Sequence, residues 1–489
     1  MCRCKSGEIK PLGHRRPLSV ILVAWHGDGS QSPPRSQAKL TPMTVSLSRK
    51  IVRCSNAFTP EHLTPELIFK VKTALFDLLS CVYEARDLPW SRQAMALAGR
   101  GQGRAHVFGT SLLVPVTDAA FVNSILGHGL VREDMHTGSV SHLGVVVLPT
   151  LLALCEGRNI YGQDFILAAI CGYEVGCVIG KAVMDAPNVK QYRPTGITGP
   201  PAAAIGGARL LGLNENQTIS ALGFAANTTV GLNEWPYSGG DEMFFHVGFA
   251  ARNAVTSVEL AELGAQASES SLDGIAGLFA ALRKTDKIAS VVPFGGPHPE
   301  ILDVYHKPAP ACNYAQTATQ AAAGLASLNA VSAAEIAQIT VRCTAAAAAY
   351  PGCNFNGPFE KTLQAKMSIQ FCVGAALTRG VIEEANYRVL DHPEINRLAH
   401  LTKLEIDPAL TAAYPGLQGA EVIVTLRNGK TLRRGLPNVV PASPEQIRSR
   451  FATAAEAVLG VEKTNAALAF VDTLESRSDV SALCGMLAT

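Results

Sequence analysis

Net charge is the first thing this chain lacks. Its 42 Lys and Arg stand against 40 Asp and Glu, a formal +2, so it carries no global electrostatic footprint for nucleic acid. Aromatic residues are also scarce, at 6%, whereas alanine is abundant, a balance that favours tightly packed helices. The twelve cysteines follow no paired C-x-x-C spacing. That argues against a zinc motif or an iron–sulfur cluster and leaves reduced, buried thiols in an intracellular protein as the expectation. Long uncharged apolar runs are missing too. The most apolar stretch, residues 162–184, is interrupted by Asp164, Glu174 and Lys181, so no membrane span is expected.

Against those absences stand 489 residues, 47% hydrophobic and 17% charged, which is globular composition with little room for disorder. The length calls for more than one domain. Charge is uneven along the chain. Residues 1–50 carry nine Lys and Arg against Glu8 and Asp28 only, a basic, acid-poor leader of the transit-peptide kind. It is expected outside the fold, with the compartment open between cytoplasm and mitochondrion.

From Thr64 the chain reads as a helical array. Leu67, Ile68, Val71, Ala74, Leu75, Leu78 and Leu79 keep a helical period, and Thr64-Pro65-Glu66 supplies a start signal. Near residue 300 the pattern changes to Pro/Gly-rich connectors. Thereafter Ile339–Cys343 reads as a strand, and 421–426 with 431–436 as a hairpin around Asn428-Gly429. Residues 363–379 read as an amphipathic helix. After Pro441 helix returns. The predicted fold is therefore mainly α: a large all-helical domain (51–302, completed by 441–489) and a smaller α+β lid domain (303–440). The cleft between them is the favoured ligand site.

The densest acid–base cluster lies in residues 123–149, where His128, Glu133, Asp134, His136 and His142 fall between two apolar helices. A polar loop held on such a frame suits catalysis, although linkers between helices are often polar simply because they meet water. A metal reading of His128, Asp134, His136 and His142 is set aside, since their spacing makes no compact helical ligand pair. The glycine-rich stretches GYEVGCVIG and TGITGPPAAAIGG follow no predicted strand, as a dinucleotide loop would require. Cys312, in PAPACNY, reads as a buried bystander thiol rather than a nucleophile.

Four separated motifs, in order, carry a likeness. HGLVREDMH with His142 and VVVLP behind it, YRPTGITGPPAAAIGGARLLGL, FFHVGFAARNA and HKPAPAC together resemble the MmgE/PrpD family of 2-methylcitrate and alkylcitrate dehydratases and cis-aconitate decarboxylases. The likeness runs from about Thr64 to the C-terminus. It implies a homodimer, a small tricarboxylate substrate and no metal or organic cofactor. His142 and Lys307 match the family's residues. Val131 stands where the family often has an aspartate, Arg193 where it has a histidine, and Met243 where it has a lysine.

Dehydrating a citrate-like acid requires a base for a proton beside a carboxylate, an acid for the leaving hydroxide, and fixed positive charge. The expectation is that Asp134, His136, His142 and Lys307 are catalytic, with Asp134 orienting the two histidines. Tyr192 and Arg193 would bind substrate, the always-charged arginine as an anion clamp. The expected activity is removal of water from a 2-alkylcitrate or 2-methylcitrate-like acid, in a specialised pathway. The alternatives are a cis-aconitate-type decarboxylase and a non-catalytic carboxylate binder.

Overall fold

The computed structural model describes residues 45–229, 231–329 and 332–489. Most of the leader lies outside them. Its predicted end at residue 50 is too late, because a helix spans Leu47–Ala57, capped by Ser46 and burying Leu47, Ile51 and Val52. The sequence shift there is one of charge, and Arg49 is held by Glu215 and Glu269 at 2.6 and 2.7 Å. Basic residues at the start of the fold thus read as leader.

The helical array is built around Gly162–Val183 and Pro194–Leu210. These two approach closely because small residues line the contact. At Gly172 a Cβ would meet Val147 Cγ1 at 2.9 Å and the Ala202 carbonyl oxygen at 3.0 Å, so only hydrogen fits. The Gly162–Val183 helix is long and apolar enough to cross a bilayer, but 89% of its apolar window is buried inside the fold. Pro65–Ala85, capped by the Thr64 hydroxyl, packs on Val116–His128 and Gly144–Cys155, and Glu242–Glu262 closes the layer from the other side.

The later part is mixed. Ile336–Cys343 pairs in parallel with Thr402–Ile406 and antiparallel with Ala420–Leu426, which continues antiparallel to Thr431–Leu436. The Asn428-Gly429 turn forms as its sequence requires, with Gly429 at φ +84°. Ala420, Val422, Val424 and Leu426 alternate inward, and the Gln316–Asn329 helix covers the sheet. The predicted single helix over 363–379 is two, Thr362–Met367 and Ile369–Arg379, because Ser368 leaves helical geometry to cap the second. Pro444–Leu459 returns to the helical part, setting Phe451 against Phe76 and Tyr83. One hydrophobic core runs through both parts. Residue 303 marks a change of secondary structure within a shared core.

A short antiparallel ladder positions the site. Met135 and His136 pair with Tyr305 and Val304, which brings the segment carrying Lys307 against the loop after Val116–His128.

Candidate active site

The loop from Gly129 to Leu143 is buried almost throughout, so its polar groups need partners. Two lysines from the second half of the chain supply them. Lys307 Nζ donates to the Val131 carbonyl at 2.5 Å, and Lys366 Nζ donates to the Leu130 carbonyl at 2.8 Å and to Glu384 at 2.5 Å. Val131 itself adopts φ +60°, a costly conformation for a β-branched residue.

So held, the loop turns Glu133 inward. Its Oε1 accepts from His128 Nδ1 at 2.8 Å and lies 3.2 Å from His142 Nδ1 and 3.6 Å from Lys307 Nζ. Burial would raise this carboxyl, but the Lys307 ammonium and the hydrogen bond from His128 hold it well below the usual carboxylate range. His142 Nδ1 also donates to the Asp134 carbonyl at 2.8 Å, which leaves Nε2 as the ring atom with a free lone pair. Burial, with Lys307 adding to it, pushes the His142 pKa well down, so the ring is a neutral base. His128 is neutral for the same reason, and its Nε2 accepts from Arg193 Nη2 at 3.2 Å.

His142 and Arg193 line a small cavity with Val131, Met135, Val140 and Met243. Its volume is ≈ 20 Å³, about one water. Around it Lys307 and Arg193 oppose Glu133 alone, a surplus of positive charge that suits a carboxylate ligand. Arg193 Nε and Glu133 Oε2 are buried without hydrogen-bond partners, groups that a ligand would satisfy. An apolar chamber of ≈ 130 Å³ adjoins it, sharing Val140, Tyr314 and Tyr350 and continuing along Met184, Val189 and Ala346.

Of the six expected site residues, the structure brings together His142, Lys307 and Arg193. It sends His136 elsewhere. Successive strand residues point to opposite faces, so while Met135 lines the cavity, His136 reaches Glu300 at 3.1 Å in a separate groove of ≈ 480 Å³. Asp134 does not orient either histidine with its carboxylate. That group accepts from Tyr173 at 2.5 Å and from the Gly144 N–H at 3.2 Å, and burial lifts its pKa to about 6 against the Tyr173 hydrogen bond. Only its backbone carbonyl touches His142. Tyr192 is half-buried outside the cavity lining, its main chain bridging to Leu232.

His136, Cys177 and Glu300 offer three ligand-type atoms within 4.8 Å of one another. Ser139 N–H donates to His136 Nδ1 at 3.1 Å, which in the neutral ring places the proton on Nε2, aimed at Glu300. Lys181 takes the other Glu300 oxygen at 2.7 Å, and burial holds the Cys177 thiol well above its ordinary value. The group is an ion-pair cluster whose nitrogen is already used.

Glu133 and Lys366 were missed. A lysine in an amphipathic helix reads as solvated, and nothing local distinguishes Glu133 from Asp134.

Comparison with known proteins now adds a lineage. The MmgE/PrpD N-terminal domain matches residues 49–290 and the MmgE/PrpD C-terminal domain residues 309–476. A cis-aconitate decarboxylase from Aspergillus terreus is 28% identical over 235 residues, 46% of this chain and 48% of that protein. The cis-aconitate decarboxylase-like protein oryM from Aspergillus oryzae is 29% identical over 215 residues, 42% and 44% of the two chains. The aligned stretch spans about half the length of these curated relatives.

Proposed function

The chain belongs to the MmgE/PrpD family, and on that premise we propose that it is a lyase that removes water from a 2-alkyl-substituted citrate-like tricarboxylate. One observation carries this reading. The three positions that depart from the family pattern, Val131, Arg193 and Met243, line the same cavity as His142, while His142 and the neighbouring Lys307 keep the pattern. The frame is retained and the ligand-facing wall is changed, which is how a specialised substrate is accommodated on an unchanged chemistry.

Arg193 and Lys307 neutralise substrate carboxylates. His142 Nε2 takes the proton from the carbon next to a carboxylate, and the two cations stabilise the charge that develops there. The imidazolium returns that proton to the departing hydroxide, giving water and an alkene. The alkyl substituent enters the apolar chamber, where each buried methylene contributes ~0.8 kcal/mol. A citrate-sized ligand exceeds the ≈ 20 Å³ present, so binding displaces the cavity wall.

The second reading, decarboxylation of cis-aconitate, is favoured by the likeness to the A. terreus cis-aconitate decarboxylase. It requires a proton delivered to carbon, a task to which a histidine held neutral is poorly matched.

Mass spectrometry of the purified protein with 2-alkylcitrates, citrate and cis-aconitate separates the readings. Loss of water from an alkylcitrate is expected, with kcat/KM rising roughly fourfold per added methylene until the chamber fills. Loss of carbon dioxide from cis-aconitate overturns the dehydratase. Thermal stabilisation by these acids without turnover identifies a non-catalytic binder.

A further inference from the structure

Cys312 and Cys353 are buried and come from separate segments, yet their sulfurs lie 3.5 Å apart. Both backbones are tied down. Cys312 N–H donates to the Lys366 carbonyl at 2.9 Å, and the Cys353 carbonyl accepts from Ile369 N–H at 3.0 Å. Other buried thiols behave differently: Cys171, Cys372 and Cys484 donate to the carbonyls of Ser55, Ala365 and Leu152. Both are enclosed by protein, but Cys312 lines the small cavity that holds His142 and Arg193.

The two thiols are not equivalent. Burial would raise Cys312, but hydrogen bonds from Cys353 and the Tyr314 N–H, with Lys307 and Arg193 nearby, bring it down. Burial and the adjacent Cys312 push Cys353 well up. One sulfur is poised as nucleophile and the other as a protonated partner within reach, the asymmetry that thiol oxidation followed by disulfide closure requires.

We propose that Cys312 and Cys353 form a reversible redox pair in the cavity wall, oxidised by a peroxide that enters the cavity. The Cys312 thiol gives up its proton as its sulfur attacks one peroxide oxygen; the O–O bond breaks, and the departing hydroxide takes that proton and leaves as water. Cys312 is now a sulfenic acid. The Cys353 sulfur attacks it, expelling a second water and leaving the Cys312–Cys353 disulfide. Two electrons pass from sulfur to peroxide, and a dithiol reverses the change by exchange. Closure draws the sulfurs to a bond length of roughly 2 Å and takes the Cys312 sulfur out of its thiol form in the wall shared with Arg193. The lyase site and this pair therefore share a wall, but the thiol chemistry stands without the lyase reading.

The test uses the full chain and needs no substrate. The protein is treated with hydrogen peroxide, its remaining thiols are alkylated, and it is digested without reductant for peptide mass spectrometry. The expected product is a linked peptide containing Cys312 and Cys353, two hydrogens lighter than the reduced pair and lost on treatment with dithiothreitol. In Cys353→Ser the link is absent and Cys312 proceeds to sulfinic acid. The proposal is overturned if Cys312 and Cys353 stay fully alkylatable at a peroxide dose that oxidises the half-buried Cys54, or if Cys312 links to another cysteine. The wild-type map decides the matter even if the variant does not fold.

Discussion

Two clusters of the same composition lie back to back across the Met135–His136 strand. Each holds histidine, glutamate and lysine: His142, Glu133 and Lys307 on one side, His136, Glu300 and Lys181 on the other. Their environments differ. Lys307 is fully buried, whereas Lys181 is half exposed at the rim of an open groove. Burial drives His142 to the neutral form with a free Nε2, while His136 Nε2 is paired with Glu300 at 3.1 Å. In the first cluster charge is costly and directional, so it can do work on a ligand. In the second, burial is outweighed by His136 and Lys181, which bring the Glu300 carboxyl down to about 2, and the three form an ion-pair cluster at the groove. Residue type alone does not separate them.

The sharpest way to break the comparison is Lys307→Met. Turnover of the accepted substrate is expected to fall about a thousandfold. Leaving Glu133 buried without its cation costs about 3–5 kcal/mol as well, measured by denaturant unfolding. Full activity in a folded Lys307→Met protein would remove this lysine from the site.

Glu133→Gln comes next. It keeps the shape but takes the charge from the group that holds His128, His142 and Lys307, and kcat is expected to drop about 10- to 100-fold. A drop confined to KM would make Glu133 a binding residue only.

A pH series tests the neutral histidine. His142 has a folded pKa below its unfolded 6.5, so below that pH the unfolded chain takes up a proton that the folded chain refuses. Stability is present above 6.5 and is lost as pH falls; Glu133 adds to the loss below 4.5. Asp134 works against it, since its raised pKa stabilises the fold as pH drops through about 6. His128 and His246, also lowered by burial, side with His142, so the melting temperature should fall on acidification, and His142→Gln should flatten the slope by about one proton, ~1.4 kcal/mol per pH unit. An unchanged slope would show that His142 titrates normally.

The smallest effect belongs to the other cluster. His136→Gln is expected to lower stability by about 1–3 kcal/mol while kcat stays within about threefold. A hundredfold loss would return His136 to the reacting groups.

What was legible in the sequence follows from the range of the forces involved. The Pro65–Ala85 helix and the Asn428-Gly429 hairpin could be read because period, cap and turn chemistry are local. His142 and Lys307 could be found by their resemblance to a family pattern. The role of Glu133 was not visible, because it depends on a loop fixed by ladder pairing with Val304 and Tyr305, far along the chain. Lys366 was hidden for a like reason: its partners are the Leu130 carbonyl and Glu384, and no helical period announces them. His136 looked catalytic because neighbouring residues in a sequence are easily imagined as neighbours in a site, and a strand separates them.

The pinning of the Leu130 and Val131 carbonyls bears on the order in which the protein is made. Their ammonium partners lie 236 and 176 residues downstream. When the helical array has left the ribosome, this loop still carries buried-to-be carbonyls and a carboxylate with no cation to meet them. The candidate site's loop is therefore pinned only when the second half of the chain arrives. A nascent or truncated first half would leave this loop unset, its two carbonyls and Glu133 without the lysines that pin them.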